Sequence, residues 1–311
     1  MMRLAFVFPG QGAQYPGMGK ELAEHYPAAR EVFERADDAL GYLLSRVCFE
    51  GPAEELDRTD VTQPAILAAS MAALAALRAE GVEPAMAAGL SLGEYSALVA
   101  AGALELEDAL RLVAKRGRLM QEAVPPGQGM MAAVLGLEAE AVEQACAAAA
   151  ATGVVSVANY NCPGQVVISG QAAGVQAAME QLKAAGGRVV PLAVSVPSHS
   201  ALMRDAAELL RRELEKMRWG APAFPVVSNV TAREVEPDEI VSLLVRQLYQ
   251  PVRWQQSLEY MAGRVDYFVE VGPGKVLSGF VKKTARRQLL GNVEDMASLQ
   301  RTVARVKEGE A

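Results

Sequence analysis

The pattern Gly89-x-Ser91-x-Gly93 constrains this chain more than any other stretch. A short apolar run, Ala85 to Ala88, precedes it behind Pro84, and a helix-forming run of small residues follows it to Ala100. That succession predicts a strand, a sharp turn and a helix. A serine at the tip of such a turn needs backbone to pass close by on both sides, which glycine permits because it has no side chain to clash. The turn lifts the hydroxyl out of the sheet and sets it at a helix N-terminus. There the amide of Leu92 and the helix dipole can meet a developing oxyanion.

Composition bounds what surrounds this turn. The chain has 311 residues, 51% hydrophobic and 22% charged, enough for one large domain or two smaller ones. A net charge of −7 argues against nucleic acid as the main ligand. Cys48, Cys146 and Cys162 have no paired spacing and read as reduced, structural thiols, which fits a cytoplasmic location. The run from Met1 to Pro9 is too short in apolar residues for a signal peptide, and no uninterrupted apolar run is long enough to span a membrane; Ala65 to Leu77 reads as alanine-rich helix. The basic runs Lys115-Arg116-Gly117-Arg118 and Lys282 to Arg287 read first as solvated faces.

In chain order, Leu4 to Phe8 is a buried strand that ends in the loop Pro9 to Gly19. Gly10 and Gly12 begin a G-x-G-x-x-G, but Tyr15 holds the third glycine position and no P-loop pattern exists, so a nucleotide-binding module is disfavoured. The loop instead offers Gln11 at the C-terminal edge of a strand, where open α/β sheets place ligands. Glu21 to Ala39 reads as helix, and Thr62 reads as the N-cap of the next. In a helix from Glu105 to Glu122, Arg116 falls on or beside the apolar stripe Leu106, Ala109, Leu110, Val113, Gly117, Met120. Such an arginine is either a snorkelling side chain or a clamp on a substrate. Val124-Pro125-Pro126-Gly127 is a boundary. Beyond it the pattern reads β-α-β-β-α-β from Met130 to Val194, with Asn159 to Gly164 as a loop between the middle strands. The chain re-enters the larger unit at Val196-Pro197-Ser198-His199-Ser200, continues as a helix, and carries strands at Phe224 to Asn229 and Tyr267 to Val271. The expected division is therefore residues 1–124 with 196–311, and an inserted ferredoxin-like unit at 125–195.

A serine hydroxyl is a weak nucleophile and needs a base within hydrogen-bond reach. The chain has two histidines. His25, in Glu24-His25-Tyr26-Pro27, reads as a surface residue, whereas His199 sits on a loop at the re-entry point, where it can face a cleft. The acids between Ser91 and His199, from Glu94 to Glu180, all fall within or at the ends of amphipathic helical patterns, and none follows a strand at a sheet edge. An ordinary hydrolase would keep its third triad member there. The expectation is a Ser91–His199 dyad whose imidazole is oriented by something else, such as a backbone carbonyl.

Together these residues resemble the malonyl-CoA:acyl carrier protein transacylases of fatty acid synthesis. The resemblance spans essentially the whole chain. It rests on Pro9-Gly10-Gln11-Gly12-Ala13-Gln14, Gly89-Leu90-Ser91-Leu92-Gly93-Glu94-Tyr95, Arg116-Gly117-Arg118-Leu119-Met120-Gln121, Asn159-Tyr160-Asn161, Val196-Pro197-Ser198-His199-Ser200 and Tyr249-Gln250-Pro251-Val252-Arg253-Trp254. It implies an α/β-hydrolase-like core with a ferredoxin-like insert and a cleft between them. It implies two-step acyl transfer through a malonyl-serine on Ser91, activated by His199, with malonyl-CoA as donor and acyl carrier protein as acceptor, and with no metal and no cofactor. The backbone amides of Gln11 and Leu92 would form the oxyanion hole, Arg116 would pair with the malonyl carboxylate, and the carbonyl of Gln250 would orient the histidine. Leu90 departs from the histidine common at that position of the family. Lys282, Lys283, Arg286 and Arg287 would suit an acidic carrier protein. A monomer acting without nucleic acid or membrane is expected. The alternative is a thioesterase or esterase-like hydrolase that shares the serine turn.

Overall fold

A computed structural model describes residues 2–192 and 196–309. Among these residues the strands are β1 (Leu4–Phe8), β2 (Met86–Gly89), β3 (Gly129–Leu135), β4 (Val155–Cys162), β5 (Gln165–Gln171), β6 (Arg188–Pro191), β7 (Val226–Val227), β8 (Tyr267–Val271) and β9 (Leu289–Val293). They build a mixed α/β protein with two sheets. One is parallel throughout, in the order β7-β2-β1-β8-β9. The other is antiparallel, in the order β4-β5-β3-β6.

Strand β1 is buried at every residue because it lies inside a parallel sheet covered on both faces. Its pleat divides its side chains between two cores. Leu4, Phe6 and Phe8 join the helix-rich core on one face, and Ala5 and Val7 join Trp254, Leu258 and Phe268 on the other. Burying one such large side chain stabilises by about 1.5–3 kcal/mol. The helix Thr59–Ala79 is long and apolar enough by composition to cross a membrane, but it lies almost wholly inside the first core. It starts three residues before Thr62, so Thr62 is not the N-cap; its hydroxyl donates instead to the carbonyls of Leu56 and Arg58.

The order of strands positions the site. The chain crosses from β1 to β2 on one side, while β8 pairs with β1 on the other, so the order reverses at the C-terminal end of β1. Open α/β sheets leave a crevice at such a point. The loop after β1 and the serine turn after β2 flank it, with Phe8 opposite Gly89 in register. At this crossing the two glycines of the motif are obligatory. A Cβ on Gly89 would overlap the backbone of Gly93, and a Cβ on Gly93 would overlap the carbonyl of Phe8.

The antiparallel sheet holds the expected β-α-β-β-α-β succession, with helices Ala139–Ala149 and Ala172–Ala184 packed on its own core. β4 does not stop at Ala158 but runs on to Cys162, so Asn159, Tyr160 and Asn161 belong to a strand rather than a loop. The reason is a partner invisible to local pattern. Val252, from the far end of the chain, exchanges hydrogen bonds with Ala158 and Tyr160 and ties this sheet to the larger one. The proposed last part of the sixth strand, Ala193 to Val194, lies outside the described residues. The helix read from Glu21 to Ala39 is two helices, Lys20–His25 and Pro27–Leu40, because proline favours the first position of a new helix.

Candidate active site

Ser91 occupies the turn between β2 and the helix Gly93–Ala100 with φ of 53°, a left-handed conformation uncommon outside glycine. Its strain is held by partners from distant parts of the chain. The Ser91 amide donates to Asn229 Oδ1 at 2.7 Å, and the Ser91 carbonyl accepts from Gln247 Nε2 at 2.9 Å. Asn229 Nδ2 in turn donates to the carbonyl of Gly89 at 2.7 Å.

His199 is also left-handed, with φ of 58°, and is buried. Its Nε2 lies 2.8 Å from Ser91 Oγ, although 108 residues separate the two in sequence. Its Nδ1 lies 2.7 Å from the carbonyl oxygen of Gln247. A carbonyl accepts only, so Nδ1 carries the proton and Nε2 is the lone-pair nitrogen that accepts from the serine hydroxyl. Burial and the nearby Arg116 charge push the imidazole down to about 4, so it is neutral at pH 7. His25 is exposed, its Nδ1 beside the carbonyl of Glu21.

The residue that orients His199 is Gln247, not Gln250. Helix Ile240–Gln247 ends there, and the last carbonyls of a helix lack intrahelical partners. The Tyr249 and Gln250 amides both turn back to the carbonyl of Arg246, which leaves the Gln247 carbonyl free for the imidazole. Gln250 Oε1 accepts from Arg246 at 3.3 Å and takes no part in the site. The His199 amide donates to the neighbouring carbonyl of Leu248 at 2.9 Å, so both ends of the residue are anchored to one helix terminus. The partial negative charge of that terminus favours an imidazolium as it forms.

Arg116 is 1% exposed, and its basic neighbours Lys115 and Arg118 face solvent. Nη1 donates to Gln63 Oε1 at 2.8 Å; Nη2 donates to Gln247 Oε1 and to Ser91 Oγ, each at 3.1 Å. The guanidinium lies over the ring of Tyr95, 5.4 Å from its centroid, and its Nε has no hydrogen-bond partner among the described residues. Gly117 lets the helix Leu106–Glu122 approach the start of Thr59–Ala79, since a Cβ there would overlap the carbonyl of Thr59. No carboxylate among the described residues forms an ion pair with Arg116. Burial lowers its affinity for a proton, but a guanidinium remains charged. A buried cation without a counter-ion is costly, so the site asks for an anionic ligand.

A cleft of about 410 Å³ between the two sheets receives these groups. Gln11, Ser91, Leu92, Arg116 and His199 line it from one side, and Met131, Asn159 and Asn161 line it from the other. The amides of Gln11 and Leu92 are engaged in no loop or turn hydrogen bond among the described residues. Leu90 lines the cleft wall. Helix Val276–Thr284 closes one flank with Val276, Leu277 and Phe280. Lys282, Lys283, Arg286 and Arg287 are exposed, and of these Lys283 Nζ donates to Oε1 of Gln165, a cleft residue. Among the described residues no group of three His, Cys, Asp or Glu could hold a metal ion.

Residue pattern did not single out Gln63, Glu94, Asn229 or Gln247. Glu94 looked like one more helical acid, yet its helix is buried on almost every side and its carboxylate is 1% exposed. Burial pushes that carboxyl up to about 7. The signal that could have found it was the absence of any polar face in Gly93–Ala100.

Comparison with known proteins gives one answer. The acyl transferase domain family matches residues 5–308. The malonyl CoA-acyl carrier protein transacylase of Escherichia coli strain K12 is 52% identical over 287 residues, covering 91% of this chain and 93% of that one. The crystal structure of malonyl CoA-acyl carrier protein transacylase from Clostridium perfringens superposes with a TM-score of 0.97 at 45% identity, covering 99% of this chain and 98% of that one. A malonyl-transacylase solved in complex with a type II PKS acyl-carrier protein gives 0.94 at 46% identity, covering 97% of this chain and 99% of that one.

Proposed function

The chain belongs to the acyl transferase domain family, and on that premise we propose that it carries malonyl from the thioester of malonyl-CoA to the phosphopantetheine thiol of an acyl carrier protein. In the first half, Ser91 Oγ attacks the thioester carbonyl as its proton passes to His199 Nε2. The oxyanion is met by the amides of Gln11 and Leu92. The C–S bond breaks, the CoA sulfur takes the proton, and malonyl remains as an ester on Ser91. In the second half, the carrier thiol gives its proton to His199 and attacks that ester, and Ser91 Oγ recovers the proton as it leaves. Arg116 holds the malonyl carboxylate through both halves.

The observation that carries this reading is the buried Arg116, in contact with the serine hydroxyl and in no ion pair among the described residues. A thioesterase or esterase acting on uncharged acyl groups has no use for a buried cation there, whereas a malonyl carboxylate supplies its missing counter-ion. On the same reading the fold is an α/β-hydrolase-like core, residues 1–124 and 196–311, with 125–195 an inserted ferredoxin-like unit. The chain works as a cytoplasmic monomer in fatty acid synthesis, without metal or cofactor. The cluster Lys282, Lys283, Arg286 and Arg287 receives an acidic carrier. In a mixture of malonyl-CoA and holo-carrier protein, the carrier should gain malonyl far faster than free malonate accumulates. Malonate release with no carrier loading would support the hydrolase instead.

A further inference from the structure

Behind Ser91 lies a buried carboxylate for which the transfer chemistry above has no role. Glu94 is three residues beyond the nucleophile, in the first turn of its helix. Its Oε2 accepts from Gln247 Nε2 at 2.7 Å and from the backbone amide of Asn229 at 3.2 Å. Both partners touch the reacting groups directly. Gln247 orients His199 through its carbonyl, holds Arg116 through Oε1, and holds the Ser91 carbonyl through Nε2. Asn229 holds the Ser91 amide.

We propose that Glu94 is a positioning residue that fixes Ser91, His199 and Arg116 relative to one another by holding Gln247 and Asn229. This rests on the reading of Ser91 as the acylated nucleophile. The argument turns on the Gln247 side chain. The two ends of an amide have nearly the same shape and opposite hydrogen-bonding character. Oε1 must face the Arg116 guanidinium, which only donates. Nε2 must then face acceptors, and the Glu94 carboxylate is the nearest, at 2.7 Å, against 2.9 Å for the Ser91 carbonyl and 3.4 Å for Asn229 Oδ1. Without that carboxylate the amide loses its strongest reason to keep its orientation, and the helix end that presents the carbonyl to His199 loses its tether. Asn229 loses the acceptor for its backbone amide, and with it part of what keeps the Ser91 turn left-handed.

Displacement of catalytic groups by about 1 Å can cost on the order of 100-fold. Glu94→Leu keeps similar bulk without an acceptor, and it should lower kcat/KM for serine acylation by malonyl-CoA by about 100-fold. Labelling of Ser91 by a neutral fluorophosphonate, which has nothing for Arg116 to bind, should slow alongside it. Glu94→Gln keeps an acceptor and should recover most of both rates. All rates are taken per folded molecule, from near-UV circular dichroism. Should Glu94→Leu fail to fold, Glu94→Asp withdraws the carboxylate by one methylene and should slow both reactions. A folded Glu94→Leu, or Glu94→Asp in its stead, that acylates at the wild-type rate overturns the proposal while leaving the serine reading intact. A wild-type chain that never acylates Ser91 overturns both.

Discussion

Arg116→Ala should lose malonyl loading while keeping much of its capacity to take acetyl from acetyl-CoA. The expectation follows from burial. Arg116 is among the largest fully buried side chains, donates to Ser91 Oγ, and forms no ion pair with a carboxylate among the described residues. Its direct partners are the neutral oxygens of Gln63, Gln247 and Ser91 and the face of Tyr95, with the Glu94 carboxyl acting on it at one remove, behind Gln247. A malonyl carboxylate can pair with it bidentately in a water-poor cleft. Removing one member of such a pair costs about 2–5 kcal/mol, or roughly 30- to 4,000-fold in kcat/KM at about 1.4 kcal/mol per decade. Acetyl has no carboxylate to leave unpaired. Measuring the two kcat/KM values for serine acylation in both chains decides the matter. Equal losses for malonyl and acetyl would make Arg116 a support for the serine rather than a clamp on the substrate.

His199→Ala should slow acylation of Ser91 by roughly a hundred- to ten-thousand-fold, the range expected for removing a positioned general base. The pH profile makes the assignment specific. A free imidazole titrates near 6.5, but burial, then the Arg116 charge, brings His199 down to about 4. Only the neutral ring can take the serine proton, so kcat/KM should hold steady through mild acid and fall as pH drops through about 4. Removing the Arg116 charge takes away the second of those causes. The acid limb of Arg116→Ala, read with acetyl-CoA, should therefore move upward. A wild-type limb near 6.5, or an unmoved limb in Arg116→Ala, would contradict this environment for the histidine.

The local pattern around Ser91 was legible because its requirements are local. Two glycines that must cross backbone, an apolar strand before them and a small-residue helix after them leave few alternatives, and β2 and Gly93–Ala100 are where they were expected. His199 was legible by scarcity, being one of two histidines and the one at a chain re-entry. Apart from the family resemblance, Arg116 was visible only as a charge edging an apolar stripe, a position that more often holds a snorkelling residue. Its complete burial depends on Gly117 and on a neighbouring helix that begins 57 residues earlier, at Thr59. Gln247 escaped for a different reason. Which carbonyl meets the imidazole depends on where the helix Ile240–Gln247 ends, and a shift of three residues places Gln250 there instead. No local pattern had marked that helix, or Trp254–Ala262, or β9, all of which complete the core and the sheet edge. Likewise β4 is lengthened by Val252, nearly a hundred residues away in sequence, so no local reading of Asn159 to Cys162 could report it.

Everything above requires Ser91 to carry the acyl group between donor and acceptor. Intact mass after brief mixing with malonyl-CoA, in the absence of any carrier protein, tests that directly. The wild-type chain should gain one malonyl increment, localised to Ser91 by peptide mapping, and Ser91→Ala should gain none. A wild-type chain that gains nothing, or an increment that survives in Ser91→Ala, would contradict it.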